Sequence, residues 1–134
     1  MSHISDFVKQ IDTATFKILK RALPGPYTFI LPGNNSLPKE FKKKTTVGIR
    51  IPDNSLALGL LAAFHELGGA GIAAPSANRF GQVSPTTAEA VQEELGNYLS
   101  DTDLVLDGGP SVVGVESTII NLTAKPTILN AGTF

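Results

Sequence analysis

GIAAPSANRFGQVSPTT, residues 71–87, is the stretch around which the rest of the chain is arranged. Ile72, Ala73 and Ala74 are small and apolar, as suits the end of a buried strand. Pro75 donates no ladder hydrogen bond and stops that strand. Ser76, Asn78 and Ser84 then set a hydroxyl, an amide and another hydroxyl in one short loop. Gly81 permits a turn that a side chain would resist. Thr86 followed by Glu89 has capping-box spacing, so a helix is predicted to begin there. Helix-start N–H groups beside hydroxyls and glycine suit an anion such as a phosphate. The same residues equally describe a capped βα loop without a ligand.

Outward from this stretch, the 134 residues suit one domain with a real core. The chain has no cysteine, which excludes disulfides and thiolate metal sites and fits a reducing cytoplasm. No apolar run is long enough for a membrane helix, and residues 1–10 lack a signal-peptide core. The net charge of −1 hides a split. Residues 1–50 carry nine bases against three acids, or +6, and residues 51–134 carry −7. A first third that faces a polyanion, or a solvated basic surface, accounts for that pattern.

Before the central stretch, a helix is predicted from Asp6 to Leu23 with Ser5 as its cap. Phe7, Ile11, Ala14, Ile18 and Ala22 form its stripe. Pro24-Gly25-Pro26 ends it, and Tyr27–Leu31 reads as a strand. A polar loop carrying Lys39, Lys42, Lys43 and Lys44 leads to a second strand, Val47–Ile51. Arg50 falls inside that apolar run. Either a carboxylate within the fold neutralises it, or its planar fork clamps a substrate carboxylate or phosphate. Ser55–Leu67 reads as a helix with Leu56, Leu60, Phe64 and Leu67 buried, ended by Gly68-Gly69.

After Thr86 the pattern predicts a helix to about Leu99, with Val91 and Leu95 inward, then strands at Asp103–Leu106, Val115–Leu122 and Thr127–Leu129. The last two make a hairpin through residues 123–126. Strands alternating with helices give an α/β fold with helices packed on a mixed sheet. His3 and His65 lack metal-pair spacing, and there is no Walker A or GxGxxG motif. What remains are loops rich in hydroxyls, amides and glycine: Ser76/Asn78/Ser84, Gly108/Gly109 and Ser117/Thr118. Such loops bind and position a substrate, which is most of what nucleotidyl transfer requires.

PGPYTFIL (24–31), VGIRIP (47–52), APSANRFGQVSPTT (74–87), DGGP (107–110) and GVESTIINL (114–122) occur in the order seen in the YrdC-like family. PSAN, then SPT, then GVESTI is a specific combination. From about Leu23 onward the chain resembles that family, which includes the threonylcarbamoyl-AMP synthases of tRNA modification. The resemblance implies a twisted, open, mixed sheet with helices packed on it, forming one YrdC-like domain over residues 1–134. It implies a reaction of L-threonine, bicarbonate and ATP, with Mg²⁺, that yields threonylcarbamoyl-AMP and pyrophosphate. By motif match, Arg50 and Ser117 hold threonine with Ser76 beside them. Thr46, Asn78 and Ser84 approach ATP.

Two departures bear on the nucleotide. Family members begin with a further segment carrying a Lys-x-Arg motif, so the chain reads as N-terminally truncated. Synthases also read I-L-R-P-G near the end, where this chain has Ile128-Leu129-Asn130-Ala131-Gly132, so Asn130 takes the place of an ATP-facing Arg. The first third, with the Lys42–Lys44 run, looks more like the YciO branch. The implied alternative is a non-catalytic module that binds double-stranded RNA or tRNA through Lys42, Lys43 and Lys44. A homodimer is compatible with either, and the expected location is cytoplasmic.

Overall fold

The computed structural model describes residues 3–38, 40, 45–111, 117–123 and 127–130. The chain divides into two compact units, residues 1–72 with 117–134, and residues 73–116.

The first unit is built on β1 (Tyr27–Pro32), β2 (Thr46–Ile49), β3 (Thr118–Asn121) and β4 (Thr127–Asn130), in the order β2-β1-β3-β4. β1 runs antiparallel to β2 and parallel to β3, and β3 runs antiparallel to β4. The sheet is therefore mixed and open, as expected, and the final pair is a hairpin. The expected strand at residues 115–122 is shorter: Ser117 precedes β3, and residues 115 and 116 lie outside the described residues.

The amino-terminal helix starts later than its periodicity suggests. Ile4–Asp6 is a single 3-10 turn, and α1 runs Thr13–Ala22. Val8 bridges Gly33, and Lys9 N–H donates to the Pro32 carbonyl at 2.9 Å. That pairing holds the segment extended and precludes a helix there. Asp12, not Ser5, is the cap: its carboxylate accepts from Thr15 N–H at 2.7 Å. The buried face shifts accordingly. Leu19 and Leu23 are buried with Ile4, Val8, Phe29, Leu31 and Leu122, whereas Ile18 and Ala14 are exposed. Phe29 and Leu31 point to α1 by strand alternation, which leaves Thr28 and Ile30 on the other face.

α2 (Ser55–Glu66) is capped by Asn54, which accepts from Ala57 N–H at 3.0 Å. Its expected stripe is not buried: Leu56, Leu60, Phe64 and Leu67 are 39–88% exposed. Periodicity identifies the apolar face but does not supply a neighbour for it, and this core is filled by the 4–8 segment, α1 and β1.

Residues 71–74 and 103–106 carry no strand, because neither pairs with any of the four. In the second unit α3 (Ala88–Leu95) continues into a 3-10 turn, Gly96–Tyr98. Val91 and Leu95 are half-buried. The helix starts one residue later than predicted. Thr87 is the cap and accepts from Ala90 N–H at 3.1 Å, while the Thr86 carbonyl accepts from Ser111 N–H at 2.7 Å. Thr87→Ala is therefore expected to cost about 1 kcal/mol, and Thr86→Ala much less. Urea unfolding of both variants checks this, and equal losses would put the cap at the wrong threonine.

Candidate functional site

β2 positions two of the expected site residues. Thr46 opens it, level with Pro32 of β1. Arg50 follows its last residue, about 13 Å further along by strand rise. The sequence reading placed Arg50 inside the strand, where a guanidinium needs an internal acceptor. It lies instead past the strand end and is exposed. Among the described residues it makes no ion pair. Its fork is available to a ligand carboxylate without breaking an existing bond.

The paired register ends at Phe29 with Ile49, next to Thr28 on β1 and to Arg50 on the other chain segment. Past it Gly25 N–H donates to the Ile51 carbonyl at 2.9 Å, two residues out of that register. Gly48 sits against the same threonine: a Cβ built there would lie 3.5 Å from Thr28 Cγ2. On the other side of β1, Ser117 and Thr28 share a hydroxyl–hydroxyl hydrogen bond of 2.7 Å. Ser117 thus meets Thr28 of the inner strand across 89 positions of sequence, while Arg50 follows the end of β2, the strand on the other side of β1. Thr28 was missed by the sequence reading. The signal was there in YTFIL, where Thr28 is the polar member on the face away from the core. Thr118, next to Ser117, is wholly buried.

Asn130 ends β4, level with Ile119. Lys42, Lys43 and Lys44 lie outside the described residues.

The second unit carries the remaining candidates. Ser76 is exposed, and Ser84 is half-buried. Asn78 Nδ2 donates to the carbonyls of Arg79 at 2.9 Å and Gln82 at 2.8 Å, which closes a turn around Gly81 (φ +82°). Glu94, on α3, accepts from Arg79 Nε at 2.9 Å and from Arg79 N–H at 3.3 Å. That hydrogen bonding holds the Glu94 carboxyl below the usual carboxylate range and raises the Arg79 guanidinium. Nothing in the sequence separates Glu94 from Glu89 and Glu93; its contact to the loop does.

The two glycine- and hydroxyl-rich loops of this unit meet at the start of α3. Pro85–Ala88 and Asp107–Gly109, with Val91 and Ser111, line a cavity of about 180 Å³. That is below the size of a typical small-molecule pocket. Asp107 Oδ1 accepts from Gly109 N–H at 2.9 Å, which sets the loop. Among the described residues no cluster of three His, Cys, Asp or Glu could hold a metal ion. No helix there is long and apolar enough to cross a membrane.

A family model for the Sua5, YciO and YrdC proteins, described as telomere recombination, matches residues 1–132. The chain is 37% identical, over 95% of its length, to a threonylcarbamoyl-AMP synthase of Pyrococcus abyssi. It is 36% identical, over 98% of its length, to one of Bacillus subtilis. It spans 37% of the length of each. The crystal structure of P. abyssi Sua5 complexed with L-threonine superposes with a TM-score of 0.85 at 36% identity, covering 98% of this chain and 37% of that one.

Proposed function

The chain belongs to the Sua5/YciO/YrdC family, and from that membership we propose that it is a protein of the threonylcarbamoyl-AMP synthase type. L-Threonine, bicarbonate and ATP are its substrates, threonylcarbamoyl-AMP and pyrophosphate its products, and N6-threonylcarbamoyl modification of tRNA adenosine its pathway. The observation that carries the reading is Arg50: exposed, without an ion pair among the described residues, and at the end of β2, the strand beside β1, whose Thr28 is bonded to Ser117. A planar cation beside hydroxyls suits an amino acid with a carboxylate and a side-chain hydroxyl. We assign Arg50 and Ser117 to threonine in this unit. Ser76, Asn78 and Ser84 in the other unit are assigned to substrate binding as their motif implies, the last two to ATP with Thr46. Mg²⁺ belongs to this scheme as the partner of the ATP phosphates.

Asn130 weakens the nucleotide side, because an amide does not supply the charge of an arginine on phosphate. The chain alone is expected to release pyrophosphate slowly from L-threonine, bicarbonate and ATP. Turnover of about 1 s⁻¹ or more would overturn that expectation. A second reading, a tRNA- or double-stranded-RNA-binding module, is favoured by the +6 charge of residues 1–50. Salt-sensitive tRNA binding that weakens on neutralising Lys42–Lys44, with no pyrophosphate release, would select it.

A further inference from the structure

Asn78 spends both amide hydrogens inside its own loop, on the Arg79 and Gln82 carbonyls. Those two acceptors fix the orientation of the carboxamide, since the reverse would set oxygen against oxygen. Oδ1 is left over, buried and without a hydrogen-bond partner, the one side-chain atom in that state among the described residues. Native structures rarely keep a buried acceptor unpaired, so a donor is missing from the picture. The loop is strapped in this arrangement from outside. Glu94 takes both the main-chain N–H and the Nε–H of Arg79, the residue next to Asn78.

We propose that Asn78 Oδ1 accepts a hydrogen bond from the nucleoside part of a bound nucleotide, and that Glu94 is the positioning residue that holds it there through Arg79. The inference rests on the reading of Asn78 as an ATP residue and specifies which end of ATP it meets. With both N–H groups used, Asn78 offers only an acceptor. The phosphate oxygens of ATP are themselves acceptors, so they are excluded as its partner. The exocyclic amine of adenine and the ribose hydroxyls are the donors that remain. Oδ1 has no solvent exposure in this arrangement, so the donor reaches it only when the loop shifts; Phe80 and Val83 of the same loop are 105% and 88% exposed.

ATP and inorganic tripolyphosphate are titrated calorimetrically into the chain, with amide NMR spectra showing that each variant is folded. Asn78→Ala is expected to weaken ATP about tenfold and to leave tripolyphosphate within about twofold. Glu94→Ala is expected to weaken ATP about threefold or more, and Glu94→Gln, which keeps an acceptor in the same place, to restore it. An arm without substitutions uses two ATP analogues, one with a dimethylated exocyclic amine and one lacking both ribose hydroxyls. One of the two is expected to bind about tenfold more weakly than ATP. The proposal is overturned if both analogues bind as ATP does, or if Asn78→Ala weakens tripolyphosphate as much as ATP. A folded chain that takes up no ATP overturns the nucleotide reading and this inference together. A chain that binds ATP but is indifferent to these changes overturns the inference alone.

Discussion

Phe29→Ala is expected to lower the melting temperature of the first unit by about 15–30 °C, which leaves it largely unfolded near physiological temperature. Phe29 sits on β1, the inner strand, level with Ile49 of β2 on one side and Ile120 of β3 on the other. It is 1% exposed and clusters with Leu19 and Leu31, both at 0%. Truncating a buried phenylalanine removes its transfer free energy and leaves a cavity, about 3–5 kcal/mol in all. Small domains hold only about 5–15 kcal/mol in total. The buried core here is confined to a few apolar side chains among the described residues, so little reserve remains. Leu67→Ala is the control. Leu67 is 88% exposed, and its loss is expected to stay within about 0.5 kcal/mol. A thermal melt followed by circular dichroism reads both. A Phe29→Ala melt within about 5 °C of the parent would mean that the core lies elsewhere.

The same two residues show where sequence patterns inform and where they stop. Alternation in YTFIL locates β1 and its buried face, because a period of two is a property of the strand alone. The mixed sheet was legible from strands alternating with helices, and the closing hairpin from the short connection between the last two strands. The 3.6 period at Leu56, Leu60, Phe64 and Leu67 locates α2 equally well, yet the face it marks is open. Burial depends on what lies opposite, and local periodicity carries no information about that. The error at the amino terminus has a different origin. Phe7 and Ile11 continue the helical spacing of α1, but the Val8–Gly33 bridge outweighs it, and Asp12 supplies the cap. A long-range pairing decides that boundary. Among the site residues, the motif loops were visible from composition. The bond between Ser117 and Thr28, and the place of Arg50 at the end of the adjoining strand, were not, because they are set by the order β2-β1-β3 and not by spacing along the chain.

An exposed guanidinium without an ion pair among the described residues makes Arg50 the substitution with the largest expected effect on ligand binding. If L-threonine binds in the first unit, its carboxylate needs a cation that is not already engaged. Arg50 is exposed and makes no ion pair among the described residues. A charge-assisted contact of this kind contributes about 1.5–3 kcal/mol, or roughly ten- to hundredfold in affinity. Arg50→Lys keeps the charge but loses the two-pronged geometry, so it is expected to bind threonine about tenfold more weakly, and Arg50→Ala more weakly still. Neither change should affect stability by more than about 0.5 kcal/mol, since the side chain is not buried. Thr28→Val adds an independent check. It keeps the shape of the inner strand while removing the partner of the Ser117 hydroxyl, which stands 2.7 Å away. Its loss in threonine affinity should be smaller than that of Arg50→Ala, because the lost bond is neutral. Calorimetry with L-threonine and, as a competitor, the isosteric L-valine separates the two effects. Arg50 variants should lose both amino acids alike, whereas Thr28→Val should narrow only the preference for threonine. A folded parent chain that takes up no threonine at millimolar concentration would remove Arg50 and Ser117 from the site. Unchanged affinity in Arg50→Ala would remove Arg50 alone and leave the hydroxyl pair to be explained by the sheet.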